Sequence, residues 1–399
     1  MKRNKLLLAI TIFAFFTLFS CMKDELYEPV SLNGSLPFSD NSANNPKNLI
    51  YQAILDKYVK DGLPGLVVLI RTPNDGIWIG SSGHARVEDK TPMKKYNIVY
   101  SASIGKTYCA VAIMQLVDEG KLSLNDKINK YLSTDICKNI PNANSATIKD
   151  LLGHTSGIPN FDDNTQFIAD VLNNPFSIAT NDLIKYEYGK NALFQTGKGY
   201  EYSSTGYELL AQIIDKATGE NHSKYYASHI FNPLGLKDTY YKNVVGFPKP
   251  EGLVNCYFDR LGNKKIENIS NVNNHLTQIF TGSDGIMASV YDYSLFIEGL
   301  MKGNLVSPAS LLQMTTWHDT YASKPTMKYG LGLYQIETKY GYKIGHDGDA
   351  VGAAADVFYF PDYDITIVTA TNIGTFLDTN LSQKYNETFQ EELLEAVFK

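Results

Sequence analysis

Runs of β-forming residues stand at both ends of this chain, and the long stretch between them carries helical spacing; no other feature constrains the fold as much. Near the start, Leu49 to Val59 places Ile50, Ala53, Ile54 and Tyr58 at helical intervals, and Gly62, Pro64 and Gly65 end that helix. The run Leu66-Val67-Val68-Leu69-Ile70 follows, and Asn74-Asp75-Gly76 turns the chain into Ile77-Trp78-Ile79, which predicts a hairpin. Towards the other end, Gly330 to Ile336, Val357 to Phe360 and Ile365 to Ala370 read as strands, with a Pro361-Asp362-Tyr363-Asp364 turn and a last helix from about Asn380. The expected fold class is therefore α+β: an antiparallel sheet built from both chain ends, flanked by helices, with an inserted, mostly helical lobe over about residues 131–274. The domain as a whole is expected over residues 49–399.

The first twenty residues read as an export signal. Lys2, Arg3 and Lys5 precede the apolar run Leu6 to Phe19, which is too short to span ~30 Å of hydrocarbon. Leu18-Phe19-Ser20-Cys21 resembles a lipoprotein processing site, so Cys21 is the expected lipidation residue. The following Met22-Lys23-Asp24-Glu25 resembles the tag of lipoproteins exported to the outer membrane. Residues 21–48, rich in Ser, Asn and Pro, then read as a tether. A membrane partner is expected through the lipid anchor alone.

Charge and cysteines remove other classes. With 36 basic against 42 acidic residues and no basic stripe, nucleic-acid binding has no electrostatic footprint. Cys109, Cys137 and Cys256 form no Cys-x-x-Cys pair and have no zinc-type spacing to histidine, so neither a disulfide framework nor a metal site is expected.

A serine hydroxyl is a weak nucleophile until a base sits beside it, and a lysine three residues on along a helix puts an amine over the same face. Ser103-Ile104-Gly105-Lys106 has that form, and Ser103 opens a segment to Val117 that is apolar on every face. The helix start favours an oxyanion, and burial would lower the lysine pKa. Gly105-Lys106-Thr107 also mimics the end of a phosphate loop, but position 100, where that loop needs glycine, is Tyr100. Neither a Gly-x-Ser-x-Gly elbow nor a His-Glu-x-x-His motif occurs.

Six motifs in order complete the pattern: Tyr100 to Lys106, Thr147 to Pro159 with His154-Thr155-Ser156-Gly157, Tyr202 to Tyr207, Pro233 to Leu236, Gly282 to Ser289, and Gly345-His346-Asp347-Gly348. Together they closely resemble the class C β-lactamase-like serine hydrolases over about residues 50–375. The resemblance implies a serine hydrolase that cleaves ester or amide bonds of a small-molecule or peptide substrate through an acyl-Ser103 intermediate, without a cofactor. It makes Ser103 the nucleophile, Lys106 its partner amine, Tyr202 a proton shuttle that a neighbouring Lys106 cation would activate, and His346 a residue of the third motif in the site. It places the oxyanion hole at the N–H groups of Ser103 and Asp349, with Gly348 allowing close approach of substrate. Ser204 stands where the family usually has Asn, which weakens a hydrogen bond to the substrate acyl amide or to Lys106. His154 is implied as a support of its loop.

Asp347 stands where carboxylate-binding relatives carry a hydroxyl. If it faces the cleft, it repels penicillins and D-Ala-D-Ala peptides and leaves esters, amides or amine-bearing substrates. Two other readings stay open: a D-Ala-D-Ala carboxypeptidase or class C-like β-lactamase, and a catalytically weak binding or sensor lipoprotein on the same scaffold.

Overall fold

The computed structural model describes residues 34–241 and 250–399. The signal segment and Cys21 lie outside the described residues. Nine strands form one antiparallel sheet in the order Thr91–Pro92, Gly76–Arg86, Gly65–Thr72, Ile365–Thr371, Ala354–Phe360, Gly341–Asp349, Tyr334–Thr338, Met327–Tyr329 and His318–Asp319. The N-terminal hairpin pairs directly with the last strand, Leu66 opposite Thr371 and Arg71 opposite Thr366, so the two ends of the chain close one sheet as expected.

Burial on both faces explains why these strands read as unbroken apolar runs. Leu66, Val68 and Ile70 pack with Tyr51 and Leu55 of the helix Asn48–Lys60, with Leu393 of the helix Gln390–Phe398 and with Phe389 of the segment Lys384–Phe389 that leads into it. Val67 and Leu69 face the opposite core, with Val368, Ala370 and the helices Gly105–Asp118 and Val290–Met301. The helix Gly105–Asp118 is buried all round, from Gly105 to Met114 and at Leu116, and Gly120 ends it in the left-handed region at φ 72°.

The middle of the chain, expected to be mostly helical, carries short strands beside its helices. Strand Thr239–Tyr241 leaves it to pair with Ile286–Ser289, which also pairs with Ile98–Tyr100, and a small hairpin joins Tyr257–Phe258 to Glu267–Asn268. These strands are too short for period-2 alternation to register against the surrounding loops. The tether also ends sooner than expected, because residues 34–48 dock onto the domain. Phe38 packs 4.8 Å from the Tyr291 ring, the Ser42 hydroxyl accepts the Ile79 N–H at 2.9 Å, and Lys47 Nζ donates to the Ala396 and Val397 carbonyls at 3.0 and 2.8 Å. Single contacts hold this segment, so it has no periodic signature. Among the described residues no helix is long and apolar enough to cross a membrane.

Candidate active site

The Ser103 turn is held between two elements. Ala102 to Ile104 form one 3-10 turn before the buried helix, and Ala102 adopts φ 46°, which is strained for a residue with a Cβ. Ser101 anchors the turn by donating its N–H to the Ile286 carbonyl at 3.0 Å and its hydroxyl to Asp284 Oδ1 at 3.1 Å. On the other side runs the strand Gly341–Asp349. A Cβ on Gly348 would lie 2.1 Å from the Ser101 carbonyl oxygen, so glycine is needed for this approach.

Lys106 lies one turn after Ser103 and is 1% exposed. Its Nζ donates to Ser103 Oγ at 3.0 Å and to the Ser283 carbonyl at 3.2 Å. Burial pulls the amine down to about 8, against the opposing charges of Asp162, Asp284, Glu208 and Asp347. Near neutrality a usable fraction is therefore the free base. Glu208 fixes the carbonyl that receives Nζ: its Oε1 accepts from the Ser283 N–H at 3.2 Å and the Ser283 hydroxyl at 2.5 Å, and its Oε2 accepts from the Thr281 N–H at 2.8 Å.

The Tyr202 ring lies 4.8 Å from Lys106 Nζ, with the Ser103 hydroxyl within its reach. Burial raises the phenol well above its ordinary value and the neighbouring Tyr329 adds to the rise, so Tyr202 is a neutral donor and acceptor, and Lys106 is the basic member of the pair. His154 supports this loop. Its buried Nδ1 accepts the Ser203 N–H at 3.1 Å, and its ring packs 4.4 Å from Tyr202. Burial holds His154 neutral.

The third motif divides between layers. His346 is 2% exposed, with Nδ1 2.5 Å from the Asp347 carbonyl and Nε2 3.2 Å from the Tyr329 hydroxyl. Burial lowers it to about 4. With both nitrogens engaged and its ring 6.3 Å from that of Tyr202, His346 is a neutral residue packed against the tyrosines of the site. Strand alternation puts the Asp347 side chain on the face opposite Gly348, the face it shares with Asp349, where it stands across from Asp356. Asp347 is not among the residues that line the cleft, and its charge acts on the site at range, where it favours the Lys106 cation.

Asp349 does line the cleft. The Ala350 N–H bonds the Ala353 carbonyl at 2.9 Å, so antiparallel alternation directs the Asp349 N–H away from the strand Ala354–Phe360. On that side the pairing with Tyr334–Thr338 has already ended at Gly345, which leaves the N–H open. The Asp349 carboxylate keeps a solvent-facing edge and accepts from Thr375 Oγ1 and, at 3.3 Å, Asn386 Nδ2. The protein packed around it and the neighbouring Asp347 raise it to about 7.

Ser103, Lys106, Ser204 and Asp349 thus come together in one open cleft of about 620 Å³, which Phe167, Val171, Leu276 and Phe280 line on the apolar side. Two acids of its lining have no counterpart among the residues singled out from the sequence. Asp284 lies inside a recognised motif, where its carboxylate accepts from the Gly285 N–H at 2.6 Å and from Ser101. Asp162 has no sequence signal of its own; it follows the His154 motif and enters the cleft only through the loop fold. Burial raises each of these acids to about 6. Ser204 donates its hydroxyl to Asp162 Oδ2 at 2.6 Å, where weakened contact with substrate or Lys106 was the expectation. Among the described residues no cluster of potential metal ligands occurs, and Cys109 and Cys137 are free cysteines.

The Beta-lactamase family profile matches residues 51–388. The chain belongs to the beta-lactamase family. Penicillin-binding protein 4* of Bacillus subtilis (strain 168) is 30% identical over 200 residues, 49% of this chain and 42% of that protein. The putative penicillin-binding protein PbpX of the same strain is 28% identical over 293 residues, 72% of this chain and 66% of that protein. This beta-lactamase family chain therefore matches less than two thirds of the length of either curated relative. The D-stereospecific amidohydrolase of a Streptomyces species superposes with a TM-score of 0.76 at 25% identity, covering 88% of this chain and 98% of that one. The D-amino acid amidase of Ochrobactrum anthropi SV3 gives 0.76 at 22% identity over the same shares, a likeness of fold.

Proposed function

We propose that this chain is a serine hydrolase that cleaves ester or amide bonds through an acyl-Ser103 intermediate. The 3.0 Å contact between the buried Lys106 amine and Ser103 Oγ carries the reading, because it supplies a nucleophile with a base already in hydrogen-bond reach. Neutral Lys106 takes the Ser103 proton as Oγ attacks the acyl carbon. The N–H groups of Ser103 and Asp349 receive the oxyanion. Tyr202, as a phenol beside both groups, gives its proton to the departing amine or alkoxide and takes the one held by Lys106 in return. Water then attacks the acyl-enzyme by the same route, releasing acid and restoring Ser103.

Asp162, Asp284 and Asp349 line the cleft, and their negative charge favours neutral or cationic substrates over the carboxylates of penicillins and D-Ala-D-Ala peptides. A fluorophosphonate probe should label wild-type protein at Ser103. Ser103→Ala should lose labelling and about 10⁴–10⁶ in turnover of a nitrophenyl ester. Near-native turnover by that variant overturns the reading, and absence of labelling in the wild type favours the binding-protein alternative.

The signal-like start of the sequence supports export and lipidation at Cys21, with the domain held at the outer membrane. Palmitate labelling that persists in Cys21→Ala removes the anchor claim.

A further inference from the structure

The Asp162–Ser204 pair points to what the cleft holds beside the scissile bond. The sequence motif usually has Asn at position 204, whose amide N–H can donate to an acylamido carbonyl of the substrate. Here Ser204 uses its hydroxyl to hold Asp162 Oδ2 at 2.6 Å, and both residues line the cleft with Ser103 and Lys106. A donor to an acyl carbonyl has thus been replaced by an acceptor. No other described group donates to the Asp162 side chain.

We propose that Asp162, positioned by Ser204, binds the free α-ammonium of the substrate, so that the cleft takes unblocked aminoacyl esters or amides with an apolar side chain and discriminates against N-acylated ones. The proposal rests on the hydrolase reading and deepens it. Charge balance supports it: Asp162 titrates near 6 and is ionised at neutral pH, and Lys106 is the cation that partly balances it. Lys106 must be neutral to act as base, and in that state the half-buried carboxylate loses the positive charge that Lys106 supplied. An incoming ammonium supplies the missing charge without protonating Lys106. The aromatic and aliphatic wall formed by Phe167, Val171, Leu276 and Phe280 lies in the same cleft, suited to a phenylalanine-sized side chain.

The test is competition for fluorophosphonate labelling of Ser103 in the full chain. Phenylalaninamide, its des-amino analogue 3-phenylpropanamide, and N-acetylphenylalaninamide serve as competitors. In wild type, phenylalaninamide should protect at least about tenfold better than either of the others, the scale of one charge-assisted hydrogen bond. Asp162→Asn should erase that ratio. Ser204→Asn, which restores an amide donor and guards against misfolding of the first variant, should shift protection towards the N-acetyl compound. Equal protection by all three in wild type, no protection by any, or a ratio unchanged in both variants overturns the subsite while leaving the hydrolase intact. Failure of wild type to be labelled at all overturns the hydrolase reading and the subsite with it.

Discussion

Gly348 and Ser101 are in contact across the floor of the site: a Cβ at position 348 would sit 2.1 Å from the Ser101 carbonyl oxygen and 3.0 Å from Ala102 Cβ. The strand that presents the Asp349 N–H and the turn that presents Ser103 meet only because residue 348 has no side chain. Gly348→Ala must push the two apart by tenths of an ångström or more. Loss of one well-placed oxyanion donor costs about 10²–10³ in kcat, and that is the expected effect on nitrophenyl ester hydrolysis. A variant within twofold of wild type shows that the Asp349 N–H takes no part.

The pH dependence follows from Lys106. Since burial lowers its amine to about 8, the basic form grows as pH rises towards that value. Therefore kcat/KM for a neutral ester should climb about tenfold per pH unit below 8 and level off above it. A flat profile from pH 6 to 8 excludes Lys106 as the base.

The same shift has a stability consequence of opposite usefulness. The folded-state amine is depressed, so folding is penalised below pH 8, where the buried group must carry charge, and the penalty is relieved as pH rises from 8 towards 10.5. Lys106→Met should therefore raise Tm at pH 7 by about 2–4 °C while abolishing turnover. Differential scanning calorimetry at pH 7 and pH 9 checks this, and the gain should shrink at the higher pH.

Glu208 is expected to act through the Thr281–Ser283 segment. Glu208→Gln replaces an acceptor of several hydrogen bonds by an amide with one donor end, releasing the carbonyl that receives Lys106 Nζ. The ester kcat should fall by about 10–100-fold, the scale of a lost charged hydrogen bond, with KM changed little. A rise in KM alone would place Glu208 in substrate binding.

Docking of residues 34–48 is measurable at Ser42. Its hydroxyl satisfies the Ile79 N–H, which lies along the part of Gly76–Arg86 that the short strand Thr91–Pro92 leaves uncovered. Ser42→Ala should cost about 1–3 kcal/mol in urea unfolding. A free tether would predict no change.

The sequence by itself determined the frame of this protein. Apolar runs such as Leu66 to Ile70 and Ile365 to Ala370 must be covered on both faces, and a helix apolar on every side, beginning at Ser103, must sit at the centre; these are local consequences of hydrophobic periodicity. The ordered motifs around Ser103, Lys106 and Tyr202 were legible for the same reason, since each is a short contiguous pattern. Tertiary structure alone decided which partners these residues meet. The sheet register set Asp347 across from Asp356, the tyrosines at 329 and 334 packed against His346, and the loop after His154 brought in Asp162 across more than forty residues to Ser204. Charge state followed from those placements, because a pKa depends on the burial and neighbours that only the folded chain supplies.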